Sequence, residues 1–175
     1  MNILVIDVGG SHIKALATGH AVPMKIPSDP ELTAKAMVRS VRTAVAGWKY
    51  SAVSIGFPGV VKHGKIIAER RNLGHGWVGY DFVRAFGCTV TVVNDAAMQA
   101  LGSYRGGTML FLGLGTGLGT ALIVDSVLVP MEIAHLPYLR SRRPFSFFFC
   151  DATGSRVTPT TAGSRLSCRC RGGRR

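Results

Sequence analysis

Ile3-Leu-Val-Ile-Asp-Val-Gly-Gly-Ser-His-Ile-Lys14 is the stretch from which the fold is read. Residues 3–8 are apolar and largely β-branched, and they run into Gly9-Gly10, which predicts a buried strand ending in a tight turn. An acid interrupts the apolar run and no basic segment precedes it, so it reads as a strand and not as a secretory leader. Outward from it, Ile13–Ala17 and Ala21–Ile26 are expected to pair as antiparallel strands about Gly19-His20. Ser28 or Asp29 offers a helix cap with Pro30 in the first turn. Ala34, Met37, Val38, Val41, Val45 and Trp48 then share one face of a helix over roughly 30–47.

The same alternation continues. Ala52–Phe57 is a strand stopped by Pro58-Gly59, and residues 64–77 read as loop with a short strand near Ile66-Ile67. A short helix over Tyr80–Phe86 ends at Gly87. Thr89–Val93 is a strand that runs into Asn94-Asp95, followed by a helix over Ala96–Tyr104. Met109–Leu114 and Thr120–Val124 are strands joined through glycines. Alternating strands and helices imply an α/β domain with a mixed sheet.

Four segments carry candidate chemistry. In the first turn, Gly9 and Gly10 let the backbone approach a phosphate, Ser11 and Lys14 add donors, and Asp7 can hold Mg²⁺ directly or through water. An ordinary hairpin with a half-buried acid is the plain alternative. Gly113-Leu-Gly-Thr-Gly-Leu-Gly119, with Gly113, Gly115, Thr116 and Gly117, makes a poor strand and a good backbone anion site; the alternative is a flexible hairpin. It does not fit the dinucleotide G-x-G-x-x-G pattern, and no Gly-Lys-Ser/Thr is present, which disfavours Rossmann and P-loop enzymes. Asn94-Asp95 stands at the carboxyl end of a strand, the edge where open α/β sheets bind ligands. Asp95 can take the proton of an attacking hydroxyl while Asn94 holds a neighbouring one; on spacing alone, helix capping is the better reading. Glu132 and His135, three apart, can face the same way and grip adjacent hydroxyls, or be a surface acid and a satisfied histidine.

In combination and in order, these segments resemble the ROK family of sugar kinases over residues 1–138. Asp7-x-Gly-Gly-Ser11 and Gly113–Gly119 resemble its two phosphate motifs, and Gly56-Phe-Pro-Gly-Val-Val61 its sugar-side loop. Asn94-Asp-Ala-Ala-Met-Gln-Ala-Leu-Gly102 and Glu132-x-x-His135 resemble its catalytic and sugar motifs, with Ala134 where glycine is usual. Asn72-Leu-Gly-His-Gly-Trp77 and Glu132-Ile-Ala-His-Leu-Pro-Tyr138 are similar to the polyphosphate glucokinase branch. The resemblance implies an actin-like ATPase (ribonuclease H-like) fold of two lobes, of which this chain carries the N-terminal lobe and the start of the second. It implies phosphoryl transfer from ATP or polyphosphate, with Mg²⁺, to the 6-hydroxyl of glucose or a close hexose. Asp95 is then the catalytic base, Asn94, Glu132 and His135 hold the sugar, and Gly59 shapes its pocket. A non-catalytic sugar-binding or regulatory member is the alternative. The family's repressors carry an N-terminal helix-turn-helix, and a first strand at residue 3 argues against that reading.

The family's Cys-x-Cys-Gly-x-x-Gly-Cys zinc motif is missing after His135, as in the polyphosphate branch. Cys168-Arg-Cys170 lacks the remaining ligands of a tetrahedral site, so no zinc is expected.

Charge divides the chain. The net charge is +12. Residues 1–139 hold six Lys, six Arg and eight acids, leaving +4; residues 140–175 hold nine Arg and one acid, leaving +8. The basic stretch 139–175 lacks aromatics interleaved with its charges, so any nucleic-acid binding is expected to be nonspecific. It is expected to be largely disordered, a non-family tail with the look of a shifted reading frame, which truncates the second lobe and impairs activity. No segment reads as a membrane span, a cytoplasmic setting is the default, and the family implies a homodimer for an intact chain.

Overall fold

The computed structural model describes residues 1–70, 73–114, 118–131 and 133. Its elements in chain order are β1 (Ile3–Val8), β2 (His12–Ala17), β3 (Met24–Pro27), α1 (Ala34–Ala44), β4 (Ala52–Phe57), β5 (Val61–Lys62), β6 (Lys65–Ile66), α2 (Phe82–Phe86), β7 (Thr89–Asn94), α3 (Asp95–Ser103), β8 (Thr108–Leu114), β9 (Leu118–Val124) and β10 (Val127–Pro130).

Five strands form a mixed sheet in the order β3-β2-β1-β4-β7. β1, β4 and β7 run parallel, while β2 and β3 are antiparallel additions at one side. Leu4, Ile6 and Val8 of β1 are fully buried on one face, as the period-two pattern requires. They join Ile13, Ile55 and Phe57 and the α1 residues Ala34, Met37, Val38 and Val41 in the main core. The helix turns its apolar stripe to this face because those residues recur at three- and four-residue spacing.

α1 begins later than its apolar stripe suggests. Thr33, not Ser28 or Asp29, is the cap, accepting from the Ala36 amide at 3.2 Å. Asp29 instead closes a turn ahead of the helix: its carboxylate accepts from the Glu31 amide at 2.8 Å, and its carbonyl accepts from the Leu32 amide at 3.1 Å. Pro30 sits inside that turn, where its fixed φ is as useful as in a helix. The Leu32 carbonyl is occupied by the buried Trp77 indole at 3.0 Å, which holds this stretch out of the helix. The helix also stops at Ala44, with Gly47 at φ 89° beyond it.

Other boundaries move less. β3 covers 24–27 instead of 21–26, and His20 stacks on Trp48 at 4.0 Å. Gly87 caps α2 in the left-handed region, as expected. The loop after Gly59 contains the small hairpin β5–β6. A strand not anticipated, β10, joins β9 and β8 in a separate antiparallel sheet of order β10-β9-β8. The alternation of that sheet appears as burial of Ala121 and Ile123 of β9 against Ala100 of α3.

α3 lies between the two sheets. Gly56 of β4 leaves room for it: a Cβ there would collide with the Met98 side chain and stand 3.4 Å from the Asp95 Cα. Gly119 of β9 does the same on the other side, where a Cβ would come within 2.8 Å of the Ala96 Cβ. Two glycines on two sheets thus set the depth at which the start of α3 is seated.

Candidate functional site

The carboxyl ends of β1, β4 and β7 lie side by side. Asp7 pairs with Gly56, and Gly56 pairs with Val93, the residue before Asn94. Paired residues of neighbouring strands point to the same face, so the Asp7 side chain and the empty Cβ position of Gly56 share one face. The Asp95 Cα stands on that face, over Gly56. Asp7 and Asp95, 88 positions apart in the chain, are therefore brought to one edge of the sheet. Two strand spacings, about 10 Å, separate β1 from β7 there.

Asn94 and Asp95 divide the work at this edge. Asn94 caps α3, its Oδ1 accepting from the Ala97 amide at 3.2 Å, while its Nδ2 donates to the Gly59 carbonyl at 3.1 Å. The cap residue is thus also the clasp that holds the loop after β4 to the end of β7. Asp95 is the first helical residue, half-buried, and its Oδ1 accepts from the Ala96 amide at 2.8 Å. Since Asn94 supplies the cap, Asp95 is not needed for that duty.

Gly59 is buried, and its amide donates to the Phe57 carbonyl at 2.8 Å, giving a tight turn after β4. The Arg70 stem packs along this turn, 3.6 Å from where a Gly59 Cβ would be.

The first glycine turn joins β1 to β2. The Gly9 amide donates to the His12 carbonyl at 3.1 Å, and Gly10 and Ser11 are exposed. The Ser11 carbonyl accepts from the Ser28 amide at 3.1 Å, which ties the turn to the end of β3. Lys14 pairs across the hairpin with Asp7, Nζ to Oδ2 at 3.9 Å. Burial pushes the Asp7 carboxyl above its ordinary range, and the Lys14 ammonium opposes that shift only in part.

A partly desolvated carboxylate with one loosely placed counterion suits a divalent cation held through water. Among the described residues no three His, Cys, Asp or Glu side chains gather to cage a metal. The Asp7 carboxylate fits Mg²⁺, which commonly takes one or two carboxylates and completes its shell with water and substrate phosphates.

The second glycine turn begins at Gly113, which pairs with Gly119 across β8 and β9. Gly115, Thr116 and Gly117 lie outside the described residues, as do Glu132, His135 and everything from 134 onward. The base of this turn is placed, because Gly119 rests on Ala96 in the first turn of α3. The base of the second glycine turn therefore adjoins the end of α3 that carries Asp95, while the first glycine turn follows β1 at the same edge of the five-stranded sheet.

Two organising residues were not legible as such. Glu69 accepts from three successive amides, Gly76, Trp77 and Val78, each at 3.1 Å, and so shapes the loop beside Gly59. Thr120 is buried, and its hydroxyl lies against the backbone of Met131 and Ile133. The only sequence signal for Glu69 was its nearness to Gly74 and Gly76; for Thr120 there was a lone hydroxyl in an apolar strand. No helix among the described residues is long and apolar enough to cross a membrane.

Comparison with known proteins adds the following. A model of the ROK family matches residues 3–130. The polyphosphate glucokinase of Mycobacterium tuberculosis is 32% identical over 154 residues, covering 75% of this chain and 57% of that protein. Among solved structures, the inorganic polyphosphate/ATP-glucomannokinase of Arthrobacter sp. strain KM superposes with a TM-score of 0.71 at 26% identity, over 87% of this chain and 69% of that one. A ROK family glucokinase from Streptomyces griseus, in complex with glucose and AMPPNP, has the same fold, with a TM-score of 0.71 at 24% identity over 85% of this chain and 57% of that one. The chain thus spans little more than half the length of the curated relative it matches.

Proposed function

This chain belongs to the ROK family, and from that premise we propose that its site moves a phosphoryl group from ATP or inorganic polyphosphate to the 6-hydroxyl of glucose or a close hexose. The observation that carries the reading is the seating of the first turn of α3 against Gly56 and against Gly119 at the base of the second glycine turn, with Asp95 over the sheet face that bears Asp7. Phosphoryl transfer asks a protein chiefly for alignment and charge neutralisation; in this reading Asp95 aligns the hydroxyl, and the turn amides, Lys14 and a Mg²⁺ held by Asp7 would neutralise the phosphates.

Asp95 orients the attacking hydroxyl and takes its proton. Asn94, Glu132 and His135 hold the sugar, with Gly59 forming the floor of its pocket. The amides of Gly9, Gly10, Gly113, Gly115 and Gly117, with Ser11, Thr116 and Lys14, hold the donor phosphates. Asp7 anchors Mg²⁺, which when bound neutralises charge on those phosphates. The likeness to polyphosphate glucokinases supports glucose as acceptor and leaves both donors in play.

The test is a coupled assay with glucose and either ATP or polyphosphate, alongside glucose binding by calorimetry. Asp95→Asn should keep glucose affinity and lose about a hundredfold or more in turnover, the range for removing a positioned general base. Near-normal turnover of the variant in a single-turnover experiment refutes the role. Glucose binding without turnover from either donor, both by this chain and by a version with the reading frame of the second lobe restored, favours the non-catalytic sugar-binding reading.

A further inference from the structure

α1 carries its cations along one face and has no acid to balance them. Lys35, Arg39 and Arg42 recur at spacings of four and three, which puts them on one side of the helix, and no Asp or Glu occurs between Ala34 and Ala44. The three line an open groove of about 510 Å³ between α1 and α2, with Tyr80 and Ala85 across from them. No acid among the described residues lines it, and none of the three cations has an ion-pair partner among them. Arg42 is held in place, its Nη1 donating to the Ala85 carbonyl at 3.1 Å.

This arrangement works against the helix. Like charges at i, i+4 repel, and Lys35 stands in the first turn, at the positive end of the helix dipole. Acids one turn away would relieve the repulsion, and α1 has none. An anion from outside supplies the missing charge. The stripe from Lys35 to Arg42 is about 10 Å long, which suits a linear polyanion better than a single phosphate. Tyr80 is the one aromatic lining the groove among the described residues, and its ring packs on Phe82 with centroids 4.9 Å apart. There is no row of rings on which the bases of a nucleic acid could stack.

The groove is separate from the site at Asp95. Val38 and Val41 of α1 pack with Leu4, Ile6 and Val8, whereas Asp7 and Gly56 belong to the other face of the sheet. The two faces share an edge at the first glycine turn. β3 runs in the same direction as β1, since both are antiparallel to β2, so the chain enters α1 from the edge that carries Gly9-Gly10. There the Ser28 amide donates to the Ser11 carbonyl at 3.1 Å. β4 starts from the opposite edge, so Lys35 lies nearest the glycine turn and Arg42 farthest from it.

We propose that the α1–α2 groove is a second binding site for inorganic polyphosphate, holding a length of the polymer on the back of the sheet and tethering it near the donor turn. The tethering role rests on the polyphosphate-donor reading above; the binding site does not.

The experiment labels arginines of the full chain with phenylglyoxal during titration with long-chain polyphosphate, and reads each arginine by peptide mass spectrometry. This keeps the groove distinct from the arginines of 140–175. Arg39 and Arg42 should be protected, while Arg105, exposed after α3, stays reactive. Lys35→Gln should raise the polyphosphate concentration for half-protection of Arg39 about fivefold, the effect of losing one exposed charge contact. Lys62→Gln, on the β5–β6 hairpin, removes the same charge elsewhere and should leave it unchanged. ATP and oligo(dT) at equal phosphate concentration should give Arg39 no protection. Arg39 left reactive, Lys62→Gln shifting protection as much as Lys35→Gln, or equal protection by ATP or oligo(dT) overturns the proposal, the last by making the groove a nucleic-acid surface. Protection as expected, with no glucose phosphorylation from polyphosphate by this chain or its frame-restored version, keeps the binding site and removes the donor reading with its tethering role.

Discussion

Replacing Asn94 with alanine removes two bonds at once, and their sum can be worked out from the structure. The Oδ1 bond to the Ala97 amide is a helix cap, and loss of such a cap costs about 1 kcal/mol. The Nδ2 bond satisfies the carbonyl of Gly59, a buried residue, and leaving that group unpaired costs about 1 kcal/mol more. Asn94→Ala should therefore lose about 2 kcal/mol of stability. Asn94→Asp separates the two terms. A carboxylate still accepts from Ala97 and suits the positive end of α3, yet it cannot donate to Gly59. It should recover about half of the loss. Urea unfolding followed by tryptophan fluorescence is the assay. Trp77 is 1% exposed, packs against Phe57 with ring centroids 5.1 Å apart and donates to Leu32, so its emission reports the core beside the Gly59 loop. With a slope of about 2 kcal/mol per molar urea, the midpoint of Asn94→Ala should fall by about 1 M at constant slope. A shift below about 0.25 M, equivalent to about 0.5 kcal/mol, would refute the claim that Asn94 joins the helix to the loop.

Gly119→Ala places a Cβ 2.8 Å from that of Ala96, so α3 must shift away from β9. Overpacking of this kind costs about 1–3 kcal/mol in a thermal melt, and single-turnover phosphorylation should fall further than the stability loss predicts because Asp95 moves with the helix; retained turnover would count against the convergence of turn and helix. Asp7 has a pKa raised by burial, so its charged form is the one that folding disfavours. The neutral form gives stability that is fully present below the unfolded value of 3.8 and is lost as pH rises through the higher folded value. Asp7→Asn should therefore melt higher than the parent at pH 7 while losing activity, and the gap in melting temperature should close as pH falls past 3.8. A gap that stays constant down to that pH would show that desolvation of Asp7 is not its cause.

Much of the site was readable because its motifs are local. A strand ending in Gly9-Gly10 and one ending in Asn94-Asp95 carry their own punctuation, and Gly87 stops α2 for the same reason. The start of α1 was misplaced because Asp29 is as good a turn residue as a helix cap. Only the indole of Trp77, 45 positions away, commits the Leu32 carbonyl to a non-helical partner. β10 escaped notice because Val127–Pro130 is four residues long and follows β9 by a two-residue turn, Asp125-Ser126, with both residues at positive φ. Those residue types tolerate that conformation without advertising it as glycine would.

The amino-acid sequence alone determined the parts: an α/β chain, two glycine turns, a strand-end acid and the membership these spell out in order. Such features depend on backbone freedom and apolar spacing within a few residues, so they need no knowledge of the rest of the chain. The tertiary structure decided which parts meet. Parallel pairing of Asp7 with Gly56 and of Gly56 with Val93, and the missing side chains at Gly56 and Gly119, bring Asp95 to the sheet edge that carries Asp7 and to the base of the second glycine turn. It also separated the duties of Asn94 and Asp95, and gave Thr120 its two backbone partners. These outcomes depend on strand register and on contacts between residues tens of positions apart, which local propensity does not encode.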